Sequence, residues 1–437
     1  MILPYTFIRR STRNTSPAVG SFVRRWGFAV GLALFSLTAA TAQAEPPEKP
    51  KLAIKAGKIV TMDEGDTIIN HGVLLIADGK IVLAGRASDV TIPDGYEVID
   101  HSDGWVLPGL VGAHNHVAGS LADLNDGVYL TNPGLRTLDT VSPRNENMEN
   151  ALSGGVTTVL LIPGSGNNMS GFGTIVKAFG NSVEEVLVRS PGSLKIAQAG
   201  NPERYWYRVG RSFMNWNLAQ TLSKAKAYHE RWTEYEKADR LPGPAYDIVW
   251  NDFRGLFERQ YPVSVHTQIY QVFMTTITML HDRFGLNVMT DHSTFDSYKL
   301  APLIKERKMY SIVGPRQFHL DRRDRTMNGC AARFAEQGIQ RLGINTDAPV
   351  VPQEDLSYQA TMACWFGWND HYAALKGITR IPAEGLGIID RVGSLEPGKD
   401  ADVGLWTGSP IDPRSWCKKT IVDGRIAYDA KVRRRTR

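Results

Sequence analysis

The chain has 437 residues, 42% of them hydrophobic, which excludes wholesale disorder and allows two or three domains or one large barrel with an appendage. Its net charge of +5 comes from the two ends, because residues 1–44 contain five arginines without an acidic residue and residues 431–437 contain five further lysines and arginines. Since the remainder is mildly acidic, we predict no nucleic-acid partner.

The N-terminus is typical of an export signal. Arginines precede an apolar run from about Trp26 to Ala40, and the small-x-small pattern Ala42-Gln43-Ala44 follows. A membrane anchor is the alternative, but the run of roughly 15–17 residues is shorter than the ~20 that a bilayer needs. We predict that residues 1–44 are a signal peptide, that the mature protein is periplasmic or secreted, and that it makes no membrane contact after cleavage.

Both ends of the mature chain are predicted to form β structure. In residues 45–107, two apolar runs are joined by Asp78-Gly79, a dipeptide typical of a type I′ hairpin turn. Residues 394–430 contain a second hairpin of this kind at Asp423-Gly424. We expect the two segments to meet in a small composite β-sandwich domain, with a basic tail at 431–437.

The middle of the chain, residues 108–393, alternates short apolar runs with helix-like segments, a pattern typical of parallel β/α units. Seven runs are clear: 110–116, 157–163, 194–199, 263–266, 286–292, 309–314 and 342–347. Eight units would form an α/β fold of the (β/α)8 TIM barrel type. We therefore expect the missing strand, the third in order, within residues 171–190.

Polar residues stand where several of these runs end. His114 and His116 lie two positions apart, so on a strand both imidazoles face the same side. His266, His292 and Asp347 end three later runs, where barrel enzymes place their catalytic groups. One such histidine alone would be a core residue, but five residues in register favour a metal site.

Lys195 lies inside another apolar run, where an ammonium group is costly unless it is neutralised or paired. One interpretation is a carbamylated lysine whose new carboxylate bridges two metal ions. The other is a lysine that pairs with a carboxylate or lies at the exposed start of its strand.

In several short segments the chain resembles the amidohydrolase superfamily, notably its imidazolonepropionase-like and prolidase-like branches. The segments are VLPGLVGAHNH, KIAQAG, SVH, MTDH, GINTDAPV and DRVGSLEPGKDADVGLW. The resemblance extends from about residue 52 to residue 428. It implies a metal-bearing (β/α)8 barrel with a small β domain made from both chain ends.

The resemblance also implies a ligand set and a divalent metal cofactor, expected to be zinc, with one or two ions per chain. The implied ligands are His114, His116 and Asp347 for one metal, His266 and His292 for a second, and Lys195 between them. Asp347 and His292 are the implied catalytic residues, for proton transfer and oxyanion stabilisation. Some relatives read Gly-Glu-Asn-Pro after the lysine strand, whereas this chain reads Ala199-Gly200-Asn201-Pro202, so that glutamate is absent.

We therefore expect hydrolysis of a C–N bond in a small-molecule amide, cyclic amide or dipeptide by a metal-activated water. A mononuclear deaminase is one alternative, although such enzymes commonly carry His-x-x-Glu where this chain has His266 and Ile269. A metal-free binding protein on the same fold is another. The sequence leaves the substrate open, and also whether the chain forms a homo-oligomer.

Overall fold

A computed structural model describes residues 49–204, 207–238 and 242–433. The expected signal peptide and the last four residues of the basic tail lie outside the described residues. Within those ranges the strands form a seven-stranded sheet, an eight-stranded sheet and a two-stranded hairpin. None of the described helices combines the length and apolar character that a membrane span requires.

The strands and helices alternate through the middle of the chain. The strands are β1 (Leu52–Val60), β2 (Ile68–Ala77), β3 (Lys80–Arg86), β4 (Glu97–Pro108), β5 (Leu110–Asn115), β6 (Val156–Leu161), β7 (Met169–Lys177), β8 (Leu187–Ala197), β9 (Val263–Thr267), β10 (Val288–His292), β11 (Tyr310–Val313), β12 (Phe318–Asp321), β13 (Thr326–Gly329), β14 (Leu342–Ile344), β15 (Val403–Trp406), β16 (Cys417–Val422) and β17 (Arg425–Asp429). The α-helices are α1 (Glu146–Ser153), α2 (Val183–Val186), α3 (Asn201–Arg204), α4 (Arg211–Ala238), α5 (Asp252–Phe257), α6 (Tyr270–Thr275), α7 (Ala301–Glu306), α8 (Cys330–Ala335), α9 (Leu356–Trp365), α10 (His371–Lys376) and α11 (Arg380–Leu386).

The seven-stranded sheet combines both chain ends in the order β17-β16-β15-β4-β1-β2-β3. β15 pairs antiparallel with β4, which joins the C-terminal strands to the N-terminal ones. Both predicted hairpin turns have the required left-handed backbone, with φ of 53° at Asp78, 48° at Asp423 and 76° at Gly79 and Gly424. The two ends therefore share one sheet, whereas the second layer of the expected sandwich is not confirmed among the described residues.

The eight-stranded sheet has the order β14-β11-β10-β9-β8-β7-β6-β5 and forms a nearly closed barrel. Each of the seven apolar runs overlaps one of its strands. A parallel bridge between Asn115 and Ala348 links its two ends, just beyond β14. The parallel pairs of this sheet bring their carboxyl ends to one end of the barrel.

The barrel departs from our expectation at its third strand. β7 overlaps the stretch where the missing strand was expected, but it runs antiparallel to both β6 and β8. The expectation of parallel units throughout is therefore wrong at this position. Only residues 162–168 connect β6 to β7, and a parallel crossover needs a dozen or more residues.

A buried group of charges joins the barrel to the small sheet. Lys177, at the end of β7, places Nζ 2.8 Å from Asp402, 2.9 Å from Asp400 and 3.4 Å from Asp423. We call these four residues the Lys177 cluster. Because β7 is reversed, the cluster lies at the end of the barrel where β6 begins, as the pairing of Lys177 with Thr158 shows.

Candidate metal centre

The structure brings all six residues implied as metal ligands to the other end of the barrel. They are His114 on β5, His116 just after it, Lys195 on β8, His266 on β9, His292 at the end of β10 and Asp347 shortly after β14. Parallel strands end at the same edge of the barrel, so residues distant in sequence converge there. The five basic residues are at most 8% exposed, and the Asp347 side chain is 19% exposed.

The closest contacts surround one carboxylate oxygen. Oδ1 of Asp347 lies 3.3 Å from Nε2 of His114 and 3.2 Å from Nε2 of His116. The two Nε2 atoms are 3.2 Å apart, and Nζ of Lys195 lies 3.3 Å from Nε2 of His114. Ligand atoms of His114, His292 and Asp347 all lie within 4.8 Å of one another.

The other two histidines stand beside this group. The His292 ring centroid is 4.5 Å from that of His266 and 4.9 Å from that of His114. Nδ1 of His266 is buried and has no hydrogen-bond partner among the described residues. A Cβ atom at Gly200, in the segment where some relatives carry glutamate, would stand 3.5 Å from Nε2 of His266.

Backbone strain accompanies the site. His292 and Asp347 have positive φ angles of 69° and 51°, and Ser293 follows with 45°. Non-glycine residues in this region cost of order 1–3 kcal/mol each and cluster at functional sites. The left-handed turn at His292 ends the regular alternation of β10, so Asp291 and His292 both reach His114.

The protonation states of three of the histidines and of Asp347 suit metal binding. Burial lowers the pKa of His292 to about 4, and it also lowers the pKa values of His116 and His266. Burial would raise the pKa of Asp347, but His292, His114 and His116 hold it well below its usual range. Neutral imidazoles and ionised carboxylates are the forms that coordinate divalent cations.

The hydrogen bonds at the far edges of two rings point to the same conclusion. Nδ1 of His116 lies 2.7 Å from the carbonyl oxygen of Ile162, and Nδ1 of His292 lies 2.9 Å from that of Gly314. A neutral imidazole that donates from Nδ1 carries a lone pair on Nε2. At His116 that lone pair meets an ionised carboxylate, an arrangement that a cation would stabilise. The donor set therefore fits a divalent metal of the zinc type.

Sequence reasoning missed one residue of the site, Asp291. Its side chain is fully buried, with Oδ2 2.9 Å from Nδ1 of His114 and 3.8 Å from Nζ of Lys195. Strict strand alternation would place it on the face opposite His292, so the run VMTDH indicated only the histidine. The available signal was the acidic residue itself, since a carboxylate in a buried run needs a partner as much as Lys195 does.

Ile269, which counts against the deaminase alternative, lies close to the site in sequence. Ile269 immediately precedes α6, at the end of the segment that follows β9. It offers no carboxylate for proton delivery at that position.

Comparisons with known proteins find similarity to amidohydrolases in sequence and fold. The crystal structure of an amidohydrolase from Thermotoga maritima matches with a TM-score of 0.77 and 29% identity, covering 87% of this chain and 100% of that one. Imidazolonepropionase of Acidiphilium cryptum is 24% identical over 381 residues, which are 79% of this chain and 89% of the relative. Amidohydrolase tasK of Hapsidospora irregularis is 22% identical over 84% of this chain, but the match spans 40% of that longer relative. No family model matches the chain.

Proposed function

This chain is an enzyme of the amidohydrolase superfamily, and from that premise we propose that it hydrolyses a C–N bond of a small-molecule amide, cyclic amide or dipeptide with the help of a divalent metal. The observation that carries the proposal is the meeting of His114, His116 and Asp347, with His292 alongside, at one end of the barrel. These residues come from β5, β10 and the segment after β14, so the fold and not local sequence assembles the donor set.

We assign the ligands as follows. One metal would be held by His114, His116 and Asp347, and a second by His266 and His292, and a carbamylated Lys195 would supply a carboxylate ligand to both. Zinc is the metal that we expect, because imidazole and carboxylate donors suit it.

A cation bound there would polarise a carbonyl-like group and lower the pKa of bound water from about 15.7 toward about 7. Asp347 is ionised and can accept a proton, then return it to the leaving nitrogen. His292 donates from Nδ1 to Gly314, so its Nε2 has a lone pair and no proton. This supports the ligand role of His292 more than direct hydrogen bonding to an oxyanion.

The environment of Lys195 supports carbamylation. Burial lowers the pKa of Lys195, although Asp291 and Asp347 oppose the effect, and this favours the neutral amine. A neutral amine adds to carbon dioxide, forms a new N–C bond and releases one proton, which leaves a carbamate anion. The competing interpretation is an ammonium paired with Asp291, at 3.8 Å.

The test combines metal analysis with a substrate screen. Mature protein is reconstituted with zinc or manganese and assayed for hydrolysis of dipeptides, cyclic amides and N-acyl amino acids. We expect bound metal, chelator-sensitive turnover and no turnover by Asp347→Asn. Protein that binds neither metal, or activity that survives complete metal removal, would overturn the proposal.

We further propose that the enzyme acts after export, in the periplasm or outside the cell. The support is the sequence of residues 1–44, with its arginines, apolar run and Ala42-Gln43-Ala44 site.

A further inference from the structure

Asp291 is a carboxylate that the proposed chemistry does not use. It is 0% exposed, and neither of its oxygens has a well-aligned hydrogen-bond donor among the described residues. Its two close polar neighbours are Nδ1 of His114 at 2.9 Å and Nζ of Lys195 at 3.8 Å. An ionised carboxylate is costly to bury, so its position beside these two groups requires an explanation.

The geometry around His114 supplies one. The Nε2 edge of its ring faces Nε2 of His116 and Oδ1 of Asp347, at 3.2 and 3.3 Å. The Nδ1 edge faces Asp291. Since a carboxylate accepts and cannot donate, its presence favours the tautomer with the proton on Nδ1 and the lone pair on Nε2.

His114 differs in this respect from the neighbouring histidines. His116 and His292 direct Nδ1 at neutral backbone carbonyls, those of Ile162 and Gly314. A carboxylate holds the imidazole more strongly than a carbonyl and increases the basicity of the opposite nitrogen. His114 is therefore set apart as the ring with the most electron-rich Nε2.

The backbone of Asp291 is itself held in place. Oγ1 of Thr267 on β9 donates to the carbonyl oxygen of Asp291 at 2.8 Å. The left-handed turn at His292 follows at once, with φ of 69°. These two constraints keep the Asp291 side chain directed at His114 although the next residue also belongs to the site.

From these observations we propose that Asp291 is a positioning residue for the metal centre, which orients His114 and makes its Nε2 a stronger ligand. The inference rests on the proposed function, since it concerns the metal assigned there. It concerns how the site achieves its affinity and does not depend on which substrate the enzyme cleaves.

The experiment measures the zinc dissociation constant by competition with a chromophoric chelator. We expect Asp291→Asn, which removes the charge and keeps the shape, and Asp291→Ala, which removes the acceptor, to weaken binding by about 10–100-fold, with the larger loss in the alanine variant. Cobalt-substituted Asp291→Asn should also show an altered visible spectrum, because the orientation of His114 changes.

Two controls separate a specific effect from general damage. Asp402→Asn makes the same substitution at a buried carboxylate of the Lys177 cluster and should leave zinc affinity unchanged even if it lowers the melting temperature. In a His114→Ala background, Asp291→Asn should change affinity by less than about twofold, because a residue that acts through His114 then has nothing to orient.

The outcomes are distinguishable. Wild-type affinity and an unchanged cobalt spectrum in folded Asp291→Asn would overturn this inference and leave the proposed function standing. An undiminished effect of Asp291→Asn in the His114→Ala background would also overturn it. Failure of the wild-type protein to bind either zinc or manganese would overturn the proposed function, and this inference with it.

Discussion

Replacement of Lys177 by methionine gives a sharp test of the fold because its ammonium is surrounded by carboxylates. Lys177 is 3% exposed, and its three partners lie within 3.4 Å. Asp400 retains Lys80 at 2.6 Å and Arg391 at 2.8 Å after the substitution. Among the described residues, Asp402 would keep no ion-pair partner, only the hydrogen bonds that it accepts from Oγ1 of Thr158 and from the backbone N–H of Asp423.

The expected loss follows from that geometry. Removing one partner of a buried ion pair costs about 3–5 kcal/mol, because the remaining charge is uncompensated. Unfolding raises the entropy of globular proteins by about 2.1 cal/mol/K per residue. If Glu48–Arg437 unfolds as one unit, this loss of about 3–5 kcal/mol should therefore lower the melting temperature by about 4–6 °C. The double variant Lys177→Met/Asp402→Asn should recover part of this loss, since it removes both charges.

The measurement is thermal unfolding followed by circular dichroism or calorimetry. Lys226→Met is the matched control, since its partner is the exposed Glu230, and it should change stability by less than about 0.5 kcal/mol. Lys177 helps to lower the pKa of Asp400 from its usual value to about 2. The ionised Asp400 therefore stabilises the fold at pH values above the usual carboxyl pKa, and this stabilisation is lost as the pH falls toward 2. The difference between wild type and Lys177→Met should therefore narrow toward acidic pH. A melting temperature within 1 °C of wild type at pH 7 would refute the reasoning.

Three further predictions concern the site and the leader. Asp347→Asn should lower turnover by at least roughly 10²–10⁴-fold while the protein stays folded, since asparagine tolerates the left-handed backbone; a steady-state assay with near-full activity would remove Asp347 from its role. Lys195→Ala should lower the metal content from two ions per chain, and bicarbonate should promote reconstitution of the wild-type apoprotein; elemental analysis that gives one metal in both proteins, with no bicarbonate effect, would show that Lys195 is structural. N-terminal sequencing of exported protein should begin at Glu45, and an intact Met1 in a soluble cytoplasmic fraction would contradict the signal peptide.

Much of the barrel was predictable because buried parallel strands are continuous apolar runs. The same runs indicated the candidate ligands, since a polar residue at the carboxyl end of such a run is expected at the mouth of the barrel. His114, His266 and His292 illustrate this, each at or near the end of its strand. The direction of β7 was not predictable from apolar character, because pairing direction depends on the connection, and residues 162–168 are too few for a crossover.

The contrast between two buried lysines shows where sequence reasoning ends. Lys177 and Lys195 lie on neighbouring strands, and the sequence shows each of them only as a lysine in or beside an apolar run. Burial lowers the pKa of both, but Asp402, Asp423 and Asp400 reverse the effect at Lys177, where the net pKa is raised. At Lys195, Asp291 at 3.8 Å and Asp347 oppose the effect of burial but do not reverse it, so its pKa stays lowered.

The partners of Lys177 are more than 200 positions away in sequence, and only the reversal of β7 brings it to them. Had β7 run parallel to its neighbours, the residue that ends it would lie at the end of the barrel with the candidate metal centre, where a permanent ammonium would repel a cation. Reversal instead gives Lys177 a structural role among carboxylates and leaves Lys195 as the amine beside the histidines. The role of a buried lysine in this chain therefore depends on which carboxylates the topology brings to it.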